Sequence, residues 1–549
     1  MDERKASDLF VDCLEAEGVR HVFGIPGEET LDLNESLERS PIEFVPVRHE
    51  QGGAYMADMY GRLTRTAGVC LGTLGPGATN LVTGVADAFL DHAPLVALTG
   101  QGDLERMHKE SHQHIDIVSM FKPVTKWNVR LQSPAMIPEA VRKAFKVAQA
   151  QKPGPTHIEL PEDVMAAPAG DAAPLPVPDR IRRPVPSPAE LEEAAAIIAG
   201  ASNPIVLAGN GVARVGAAPA LREFARATGV GVAETFMGKG ALDYEDPNAL
   251  GTVGLQSRDY ALAGFEDADV VITVGYDLVE HSPEHWNPKG DKTIVCIDTV
   301  APEVDAHFIT EVDLVGDLYH ILSRLAEELR DAPHETPHSR LNDIILGRFE
   351  AAKDDEQFPM QPPRALWDIR QALRPQDILV SDVGLHKLWI ARMFPAHEPN
   401  TVLIANGLAG MGIALPTAIA AKLVHPGRKV VTVNGDGGFL MNVQELETAV
   451  RLKTPIVNVI WENSQFGSIV WKQDKKFGRH FGTDFTNPDF VKLADAFGMP
   501  AWRCESVEDF GSRLRHALSL ELPSLIVVPI DYSLDVSISE ELGTETVAA

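Results

Sequence analysis

Short apolar runs alternate with amphipathic segments of helical length along most of the chain. Apolar residues recur at helical spacing over residues 7–17, where Gly18 is placed to end the helix, and helices are also predicted over 51–65 and 78–89. Runs of strand length occur at 21–25, 42–47, 69–73, 94–99, 204–208, 270–274, 293–297, 378–381, 429–433 and 455–461. Strands separated by helices predict parallel sheets that are covered on both faces.

Two changes of composition interrupt this pattern. Residues 166–188 are rich in Pro and Ala, and residues 331–363 are mostly polar. Such stretches are typical of linkers. The chain is therefore predicted to be an α/β protein of three doubly wound parallel-sheet domains, over residues 1–165, 188–330 and 364–535. The first and third of these blocks share a similar layout of predicted elements.

Composition and charge narrow the classes of function. The 549 residues include 49 basic and 78 acidic side chains, for a formal net charge of −29. Such a surface repels nucleic-acid backbones and anionic lipids. No run of about 18 apolar residues occurs, and the N-terminal residues lack the apolar core of a signal peptide. The four cysteines form no CxxC pair, which favours reduced, buried thiols. We therefore expect a cytoplasmic protein that binds neither nucleic acid nor membranes.

The strongest chemical signal is Gly435-Asp436-Gly437 at the end of one predicted strand, followed by Asn463 at the end of the next. Ligands bind at the carboxyl ends of parallel strands, and glycines let the backbone approach a phosphate closely. Magnesium takes about six oxygen ligands, more than one carboxylate and one amide supply. A diphosphate is therefore expected as a co-ligand. The competing interpretation is a Gly-Asp-Gly turn without a ligand.

A second signal is Glu50, which lies between a strand predicted to end near Arg48 and a predicted helix. Taken alone, Glu50 is interpreted as a capping carboxylate that the helix dipole favours. In a dry crevice next to a heterocycle, a glutamate can instead share a proton with a ring nitrogen.

A third signal is the glycine-rich segment 407–412 (GLAGMG), which leads into an apolar helix. Glycines on both sides of Met411 fit a backbone pressed against a flat ligand, with the methionine side chain as a wedge. The alternative is a core methionine at the start of a helix.

Glu50, Met411, the Gly-Asp-Gly turn and Asn463 occur here in the order typical of thiamine-diphosphate enzymes. Nearly the whole chain resembles that superfamily. Stretches such as PVRHEQGGAYMADMYGR, LGPGATNLVTGVADAF and GDGGFLMNVQELETAVRLK resemble acetolactate synthases, especially the catabolic type without FAD. The resemblance implies that pyruvate is decarboxylated and that the remaining two-carbon unit is joined to a second pyruvate, giving 2-acetolactate and carbon dioxide.

The resemblance also implies an architecture. The first domain would bind the pyrimidine of the cofactor, the central domain would be Rossmann-like, and the third domain would bind the diphosphate and Mg²⁺. The cofactor would lie between the first domain of one subunit and the third domain of another. At least a homodimer is then expected, and relatives are usually dimers of dimers.

Individual site residues follow from the same resemblance. Glu50 would hydrogen-bond the pyrimidine N1′, Met411 would hold the cofactor bent, and Ala409 would offer its carbonyl to the 4′-amino group. The predicted metal ligands are Asp436, Asn463 and the Gln465 carbonyl. The other predicted cofactor contacts are Pro26, Gly27, Asn80, Gly384, His386, Gly437, Gly438 and Phe466.

Two stretches bear on a second cofactor. Residues 275–281 (GYDLVEH) replace the FAD-associated segment of biosynthetic acetolactate synthases, so FAD is not expected. Residues 209–211 (GNG) follow a predicted strand but lack the third glycine of a GxGxxG pattern. A structural turn is therefore favoured there over dinucleotide binding.

Two further stretches bear on the substrate. His112 and Gln113 lie where simple decarboxylases of the superfamily use paired histidines. Gln113 matches the carboligase pattern, whereas His114 is compatible with the alternative of a decarboxylase. Trp471 and Lys472 fall in a region that faces the acceptor pocket in relatives, where Lys472 either binds an acceptor carboxylate or faces solvent.

Three alternative functions stay open. They are a 2-oxo-acid decarboxylase, a 2-hydroxyacyl-CoA or oxalyl-CoA-type lyase, and a cofactor-binding paralogue without turnover. Free aldehyde as the main product would favour the first, and dependence on a CoA thioester would favour the second. The sequence has no basic cluster near its C terminus for the CoA phosphates, and the presence of Glu50 argues against the third.

Overall fold

The computed structural model describes residues 4–178, 183–254, 260–334 and 340–534. These residues form two compact units. One comprises residues 4–178, 407–426 and 442–454, and the other comprises the remaining described residues.

Regular elements account for most of both units. The strands are β1 (His21–Gly24), β2 (Glu43–Pro46), β3 (Gly68–Gly72), β4 (Leu95–Gln101), β5 (Trp127–Arg130), β6 (Pro155–Pro161), β7 (Pro204–Ala208), β8 (Gly231–Glu234), β9 (Ala249–Thr252), β10 (Val270–Val274), β11 (Thr293–Asp298), β12 (Val312–Val315), β13 (Ile378–Ser381), β14 (Val402–Ile404), β15 (Val430–Gly435), β16 (Ile456–Glu462), β17 (Ala501–Arg503) and β18 (Ser524–Pro529). The helices are α1 (Ala6–Ala16), α2 (Leu31–Glu38), α3 (Glu50–Thr64), α4 (Pro76–Leu90), α5 (Ile117–Phe121), α6 (Ile137–Gln149), α7 (Glu162–Ala166), α8 (Pro188–Gly200), α9 (Asn210–Val215), α10 (Ala218–Thr228), α11 (Tyr260–Glu266), α12 (Pro283–Trp286), α13 (Leu318–Glu328), α14 (Arg340–Ala351), α15 (Pro362–Ala372), α16 (Leu385–Met393), α17 (Ala414–Val424), α18 (Asp436–Phe439), α19 (Glu445–Arg451), α20 (Gly467–Phe477), α21 (Phe490–Ala496) and α22 (Val507–Ser519).

Three six-stranded sheets, each parallel throughout, organise these elements. The first sheet has the strand order β2-β1-β3-β4-β6-β5, and the third has the matching order β14-β13-β15-β16-β18-β17. The predicted likeness between the first and third blocks is therefore a shared topology. The central sheet runs β12-β11-β10-β7-β8-β9. Read from β9, this is the strand order of a dinucleotide-binding Rossmann sheet. The predicted α/β class with three parallel sheets is confirmed.

Strand burial explains why the apolar pattern located so many strands. β3, β4 and β10 are buried along their whole length, as expected for parallel strands covered on both faces. Full burial of one Val, Leu or Ile side chain stabilises the fold by about 1.5–3 kcal/mol. Every predicted strand is present, with its ends within two residues of the prediction.

Some strands escaped prediction because their apolar signal is weak. β5 is only half-buried, and β14 and β17 have three residues each. In β6 the polar residues His157 and Glu159 interrupt the run, although both are fully buried. Burial of polar residues depends on partners from other strands, which local pattern does not reveal.

Gly18 ends α1 as predicted. Its φ is +81°, its N–H donates to the Glu15 carbonyl at 2.9 Å, and the N–H of Val19 donates to the Leu14 carbonyl at 3.1 Å. This pair of bonds satisfies the last carbonyls of the helix, and the positive φ favours glycine.

All four cysteines are buried thiols outside any disulfide, in agreement with the expectation from their spacing. Burial raises the pKa of the Cys13 and Cys504 thiols to about 12. Across the ranges that the structure covers, helices of sufficient length and apolar character to cross a membrane do not occur.

Candidate active site

The buried carboxylate of Asp436 lies at the point where the third sheet reverses its strand order, between β13 and β15. Open parallel sheets bind ligands at such points. Asp436 is 1% exposed, and its Oδ1 accepts the N–H of Gly437 at 2.9 Å. Its Oδ2 accepts the backbone N–H groups of Asn463 at 3.0 Å and Ser464 at 2.6 Å. The side-chain amide of Asn487 donates to the same oxygen at 2.9 Å. Four donors thus fix the carboxylate. One of them, Asn487, was not predicted from the sequence, because no local pattern marks it.

The turn after β16 brings two further oxygen-bearing residues next to this carboxylate. Asn463 Oδ1 accepts a long bond of 3.4 Å from the N–H of Gln465, so most of its acceptor capacity is available. Ser464 has φ +57°, which turns the chain sharply between them. Carboxylate, amide and carbonyl oxygens are the ligands that Mg²⁺ prefers, and a bound phosphate with water would supply the rest. Within the described part of the chain, no three His, Cys, Asp or Glu side chains cluster to hold a metal by themselves.

Phe466 closes one side of this turn. Its N–H donates to the Thr483 carbonyl at 2.9 Å, which anchors the backbone after Gln465. A Cβ added to Gly437 would lie 2.9 Å from the Phe466 ring and 3.1 Å from the Phe485 ring. A side chain on Gly437, the last residue of the Gly-Asp-Gly turn, would therefore displace one of these rings. Gly438 is buried in the same turn.

His386 completes the site from the β13 side. The ring is buried in the first turn of α16, and an added Cβ on Gly384 or Gly435 would lie 2.7 or 3.2 Å from it. Burial lowers the pKa of His386 to about 3, so the imidazole is neutral. Its Nε2 has no hydrogen-bond partner among the described residues. A buried polar atom without a partner is costly, which fits a site built to receive a ligand.

Glu50 lies in the first unit, at the start of the helix that follows β2. It is the first residue of α3 and is 7% exposed. Its Oε2 accepts the side-chain amide of Asn80 at 2.9 Å, and Gly77 lies so close that an added Cβ would be 3.3 Å from Oε1. The capping interpretation is wrong in one respect: the cap is His49, whose Nδ1 accepts the N–H of Gln51 at 3.2 Å. The Glu50 carboxylate is therefore not required as a cap.

β1 and β3 are neighbouring strands of the first sheet, and β3 is followed by α4, the helix of Asn80. Gly27, just after β1, packs so tightly on the Thr73 side chain that no Cβ fits. Pro26 is exposed next to it. The first sheet reverses its strand order between β1 and β3, so the predicted pyrimidine contacts lie at its switch point.

Gln113 lies over the same edge. Gly75 has φ +55°, and an added Cβ there would be 2.7 Å from the Gln113 carbonyl. The side chains of His112 and Gln113 are exposed. His114 is half-buried, and its Nδ1 is 3.1 Å from the Oε1 of Gln101. The structure thus brings Gln113 to the turn that precedes the helix of Asn80.

The glycine-rich segment 407–412 packs on α3 in the same unit. Gly410 lies directly against the Tyr55 hydroxyl, where a Cβ would clash, so the segment is next to the helix that begins with Glu50. Ala409 has φ +57°, an uncommon conformation for a residue with a side chain. Met411 is half-buried. Its partial exposure fits a side chain that contacts a ligand better than a core methionine.

A further residue of this region, Glu445, was not predicted. It is fully buried at the start of α19. Its Oε1 accepts the backbone N–H groups of Arg48 at 3.1 Å and His49 at 3.0 Å, and Thr448 Oγ1 donates to its Oε2 at 2.6 Å. Burial raises the pKa of Glu445. This carboxylate positions the turn that leads into Glu50. The available signal was a charged residue on the apolar stripe of a short helix.

The predicted substrate residues Trp471 and Lys472 lie on α20. Lys472 is exposed and Trp471 is half-buried, with the Lys475 ammonium 5.4 Å from the Trp471 ring centre. No side chain of this helix is buried. Lys472 therefore faces solvent in the isolated chain.

The central sheet has a filled switch point. Residues 209–211 pack on the backbone of Gly275 so closely that an added Cβ on either glycine would clash. The N–H of Asn210, at the start of α9, donates to Glu280 Oε1 at 2.9 Å, and the Thr235 hydroxyl donates to Oε2. Burial raises the pKa of Glu280 to about 7. A protein carboxylate thus takes the place where a dinucleotide phosphate would meet the backbone.

Comparison with protein families gives one match to each of the three successive α/β blocks of the chain. Residues 4–120 match the N-terminal TPP binding domain of thiamine pyrophosphate enzymes. Residues 191–325 match their central domain, and residues 382–528 match their C-terminal TPP binding domain. The fold, the two switch-point sites and these matches define a thiamine pyrophosphate-dependent enzyme.

Curated relatives narrow the class. The acetolactate synthase of Bacillus subtilis (strain 168) is 36% identical, covering 98% of this chain and 95% of its own. The catabolic acetolactate synthase of Raoultella terrigena is 36% identical, with coverage of 96% and 95%. The acetolactate synthase isozyme 2 large subunit of Escherichia coli (strain K12) is 34% identical, with coverage of 95% and 94%. The chain belongs to the acetolactate synthase family.

Proposed function

We propose that this protein forms 2-acetolactate: two pyruvate anions and one proton give one acetolactate anion and one carbon dioxide. The observation that carries the proposal is the buried Asp436 carboxylate, fixed by four N–H donors next to Asn463 and Gln465, in a chain of the acetolactate synthase family.

The proposed cofactor arrangement is thiamine diphosphate bound through Mg²⁺. Asp436, Asn463 and the Gln465 carbonyl would hold the metal. The diphosphate would contact Gly384, His386, Gly437, Gly438 and Phe466. The partnerless His386 Nε2 supports this arrangement, because a phosphate oxygen could satisfy it. When bound, thiamine diphosphate takes up the electron pair left behind as carbon dioxide departs.

Glu50 is the proposed proton holder at the pyrimidine N1′. The Asn80 amide fixes one carboxylate oxygen at 2.9 Å, and the Glu50 side chain is buried. A positioned carboxylate that shares a proton with a ring nitrogen is general acid–base catalysis. Ala409 would accept the 4′-amino group at its carbonyl, and Met411 would hold the ligand bent. Pro26 and Gly27 would line the pyrimidine side.

We propose that the enzyme works without FAD. The support is the Glu280 carboxylate, which already accepts the Asn210 N–H and the Thr235 hydroxyl at the central switch point. A dinucleotide phosphate brought there would meet a buried acidic group. Release of bound cofactors from purified protein, followed by absorbance above 400 nm, gives a direct check.

Pyruvate is proposed as both donor and acceptor. His112, Gln113 and Trp471 would border it, and Lys472 would attract its carboxylate as a point charge. A simple decarboxylase needs a proton donor for the two-carbon unit. Ligation is favoured because Gln113, which matches the carboligase pattern, follows His112 in place of a second histidine.

Product identification tests the reaction. Purified protein with pyruvate, Mg²⁺ and thiamine diphosphate is expected to give 2-acetolactate, or acetoin after acid treatment, with one carbon dioxide per product, measured by mass spectrometry. Free acetaldehyde as the main product would assign a decarboxylase instead. Turnover only with a CoA thioester would assign a lyase. Absence of every product under saturating cofactor would refute catalysis of this class.

We further propose that each active site combines the first domain of one subunit with the third domain of another, in a homodimer or a dimer of dimers. We also propose domain boundaries at 1–165, 188–330 and 364–535, and a cytoplasmic location. The matched family segments fall within those boundaries, and four buried cysteines without a disulfide suit a reducing compartment.

Subunit complementation tests the shared site. Glu50→Gln and Asp436→Asn chains, each nearly inactive alone, are expected to recover about one quarter of wild-type activity when co-expressed at equal levels, because a quarter of randomly paired sites then have both halves intact. Two co-expressed copies of the same variant are the control and should stay inactive. If each site belonged to a single chain, the mixture would show no recovery.

A further inference from the structure

Helix α4 presents two buried aspartates to the 407–412 segment. Asp91 follows its last residue and is 4% exposed, and its Oδ1 accepts the N–H of Gly407 at 2.6 Å. Asp87, one turn earlier, is fully buried, and its Oδ1 accepts the N–H of Gly410 at 3.4 Å. The two carboxylates therefore hold the segment on both sides of Leu408 and Ala409.

The segment needs such support because of its backbone shape. Ala409 has φ +57°, a conformation in which the Cβ approaches the following carbonyl oxygen. Gly412 has φ +83°. A short stretch with two left-handed residues has few internal hydrogen bonds. Bonds from the outside then decide whether it keeps one shape.

The charges around Asp87 suit this task. Asp58 lies one turn before Arg62 on α3, and its carboxyl is hydrogen-bonded to Asp87. Burial raises the pKa of Asp58 well above its usual range, and the charges of Asp87 and Asp91 raise it further, against the opposing effect of Arg62. A hydrogen bond between the two carboxyls requires one shared proton, and Asp87 Oδ1 also accepts the Gly410 N–H.

We propose that Asp87 and Asp91 are positioning residues: by holding the N–H groups of Gly410 and Gly407, they keep the Ala409 carbonyl and Met411 in the shape that binds thiamine diphosphate. This inference rests on the proposed function, which gives those two residues their role at the cofactor. Neither aspartate is assigned a contact with the cofactor itself.

Cofactor affinity tests the proposal directly. Asp91→Ala and Asp87→Ala are expected to weaken binding of thiamine diphosphate to the apoenzyme at saturating Mg²⁺ by about tenfold or more, measured by calorimetry, because a charged hydrogen bond to the segment is lost. Asp91→Asn is expected to restore most of the affinity, since its amide oxygen still accepts the Gly407 N–H. The loss of affinity should be larger for Asp91→Ala than for Asp87→Ala, because the Asp87 hydrogen bond is the longer of the two.

Asp377→Ala is the matched control. Asp377 is 2% exposed and also accepts backbone N–H groups, from Lys429 at 2.8 Å and Arg374 at 2.9 Å. It precedes β13, at the end of the third sheet opposite to Asp436. Its loss should lower thermal stability without changing cofactor affinity. An alanine variant at position 87 or 91 that binds as tightly as this control overturns the role of that aspartate, and so does an Asp91→Asn variant as weak as Asp91→Ala.

Hydrogen exchange covers the case of a variant that does not fold. In the wild-type apoenzyme, the Gly407 amide should exchange slowly in deuterated buffer. Rapid exchange there would refute the proposal that Asp91 holds this N–H group. Binding of the coenzyme and formation of product are separate readouts. A wild-type protein that binds thiamine diphosphate but makes no acetolactate would refute the proposed reaction. The affinities of the variants relative to the wild type would still test the positioning role of Asp87 and Asp91.

Discussion

Replacing Glu50 with glutamine lowers kcat for pyruvate turnover by about 10²–10⁴-fold, the usual contribution of a positioned acid–base group. Glutamine keeps the size of the side chain and an oxygen for the Asn80 amide, which donates at 2.9 Å. It cannot share a proton with a ring nitrogen. The affinity for thiamine diphosphate should therefore change little while turnover collapses, which steady-state kinetics and calorimetry on one preparation separate.

Glu280→Gln is the matched control for this variant. Glu280 is 6% exposed against 7% for Glu50, and it too accepts hydrogen bonds at a switch point. Burial raises its pKa to about 7, so a neutral amide is a close substitute. We expect less than about a tenfold change in kcat. A Glu50→Gln enzyme as active as this control would exclude Glu50 from the proton transfer.

Replacing Asp436 with asparagine weakens the Mg²⁺-dependent binding of thiamine diphosphate by about 100-fold or more, since even residues that only support a metal ligand contribute about 10–100-fold. The amide removes the negative charge that a hard cation prefers. It also turns an NH₂ group toward donors that now meet a carboxylate, among them Asn463 and Asn487. Titration of activity with Mg²⁺ at fixed cofactor measures the effect.

Asp377→Asn is the matched control that distinguishes an effect on protein stability from an effect on Mg²⁺ binding. Like Asp436, Asp377 is buried and accepts several N–H groups, so the substitution disturbs a comparable set of bonds. Its Mg²⁺ requirement should match that of the wild type even if its melting temperature falls. An Asp436→Asn enzyme with an unaltered Mg²⁺ requirement would remove Asp436 from the metal site.

Several site features could be predicted because they are local. Asp436 and Asn463 each end a strand with a clear apolar run, and consecutive parallel strands usually pair, as β15 and β16 do here. Their proximity therefore follows from strand boundaries alone. Glu50 is similar: a strand, a short turn and a helix start suffice to place it at the carboxyl edge of the first sheet.

The supporting residues could not be predicted, because their partners are distant in sequence. Glu445 accepts N–H groups from residues 396 and 397 positions away, and Asp91 binds a group 316 positions away. Periodicity marks a residue as buried or exposed but does not identify its partner. Asn487 has no local signal at all and reaches Asp436 only through the folded turn after β16.

The order of apolar runs and turns determined the α/β class, the strand positions and the type of residue at each strand end, because a parallel strand buried on both faces needs a continuous apolar stretch. The tertiary structure decided which strands are neighbours, and hence where the switch points lie. It also decided which carboxylates hold the turns next to Glu50 and Met411, and that a glutamate fills the central crevice. These features depend on hydrogen bonds between buried groups that are distant in sequence. Such bonds stabilise the protein only when folding removes both partners from water.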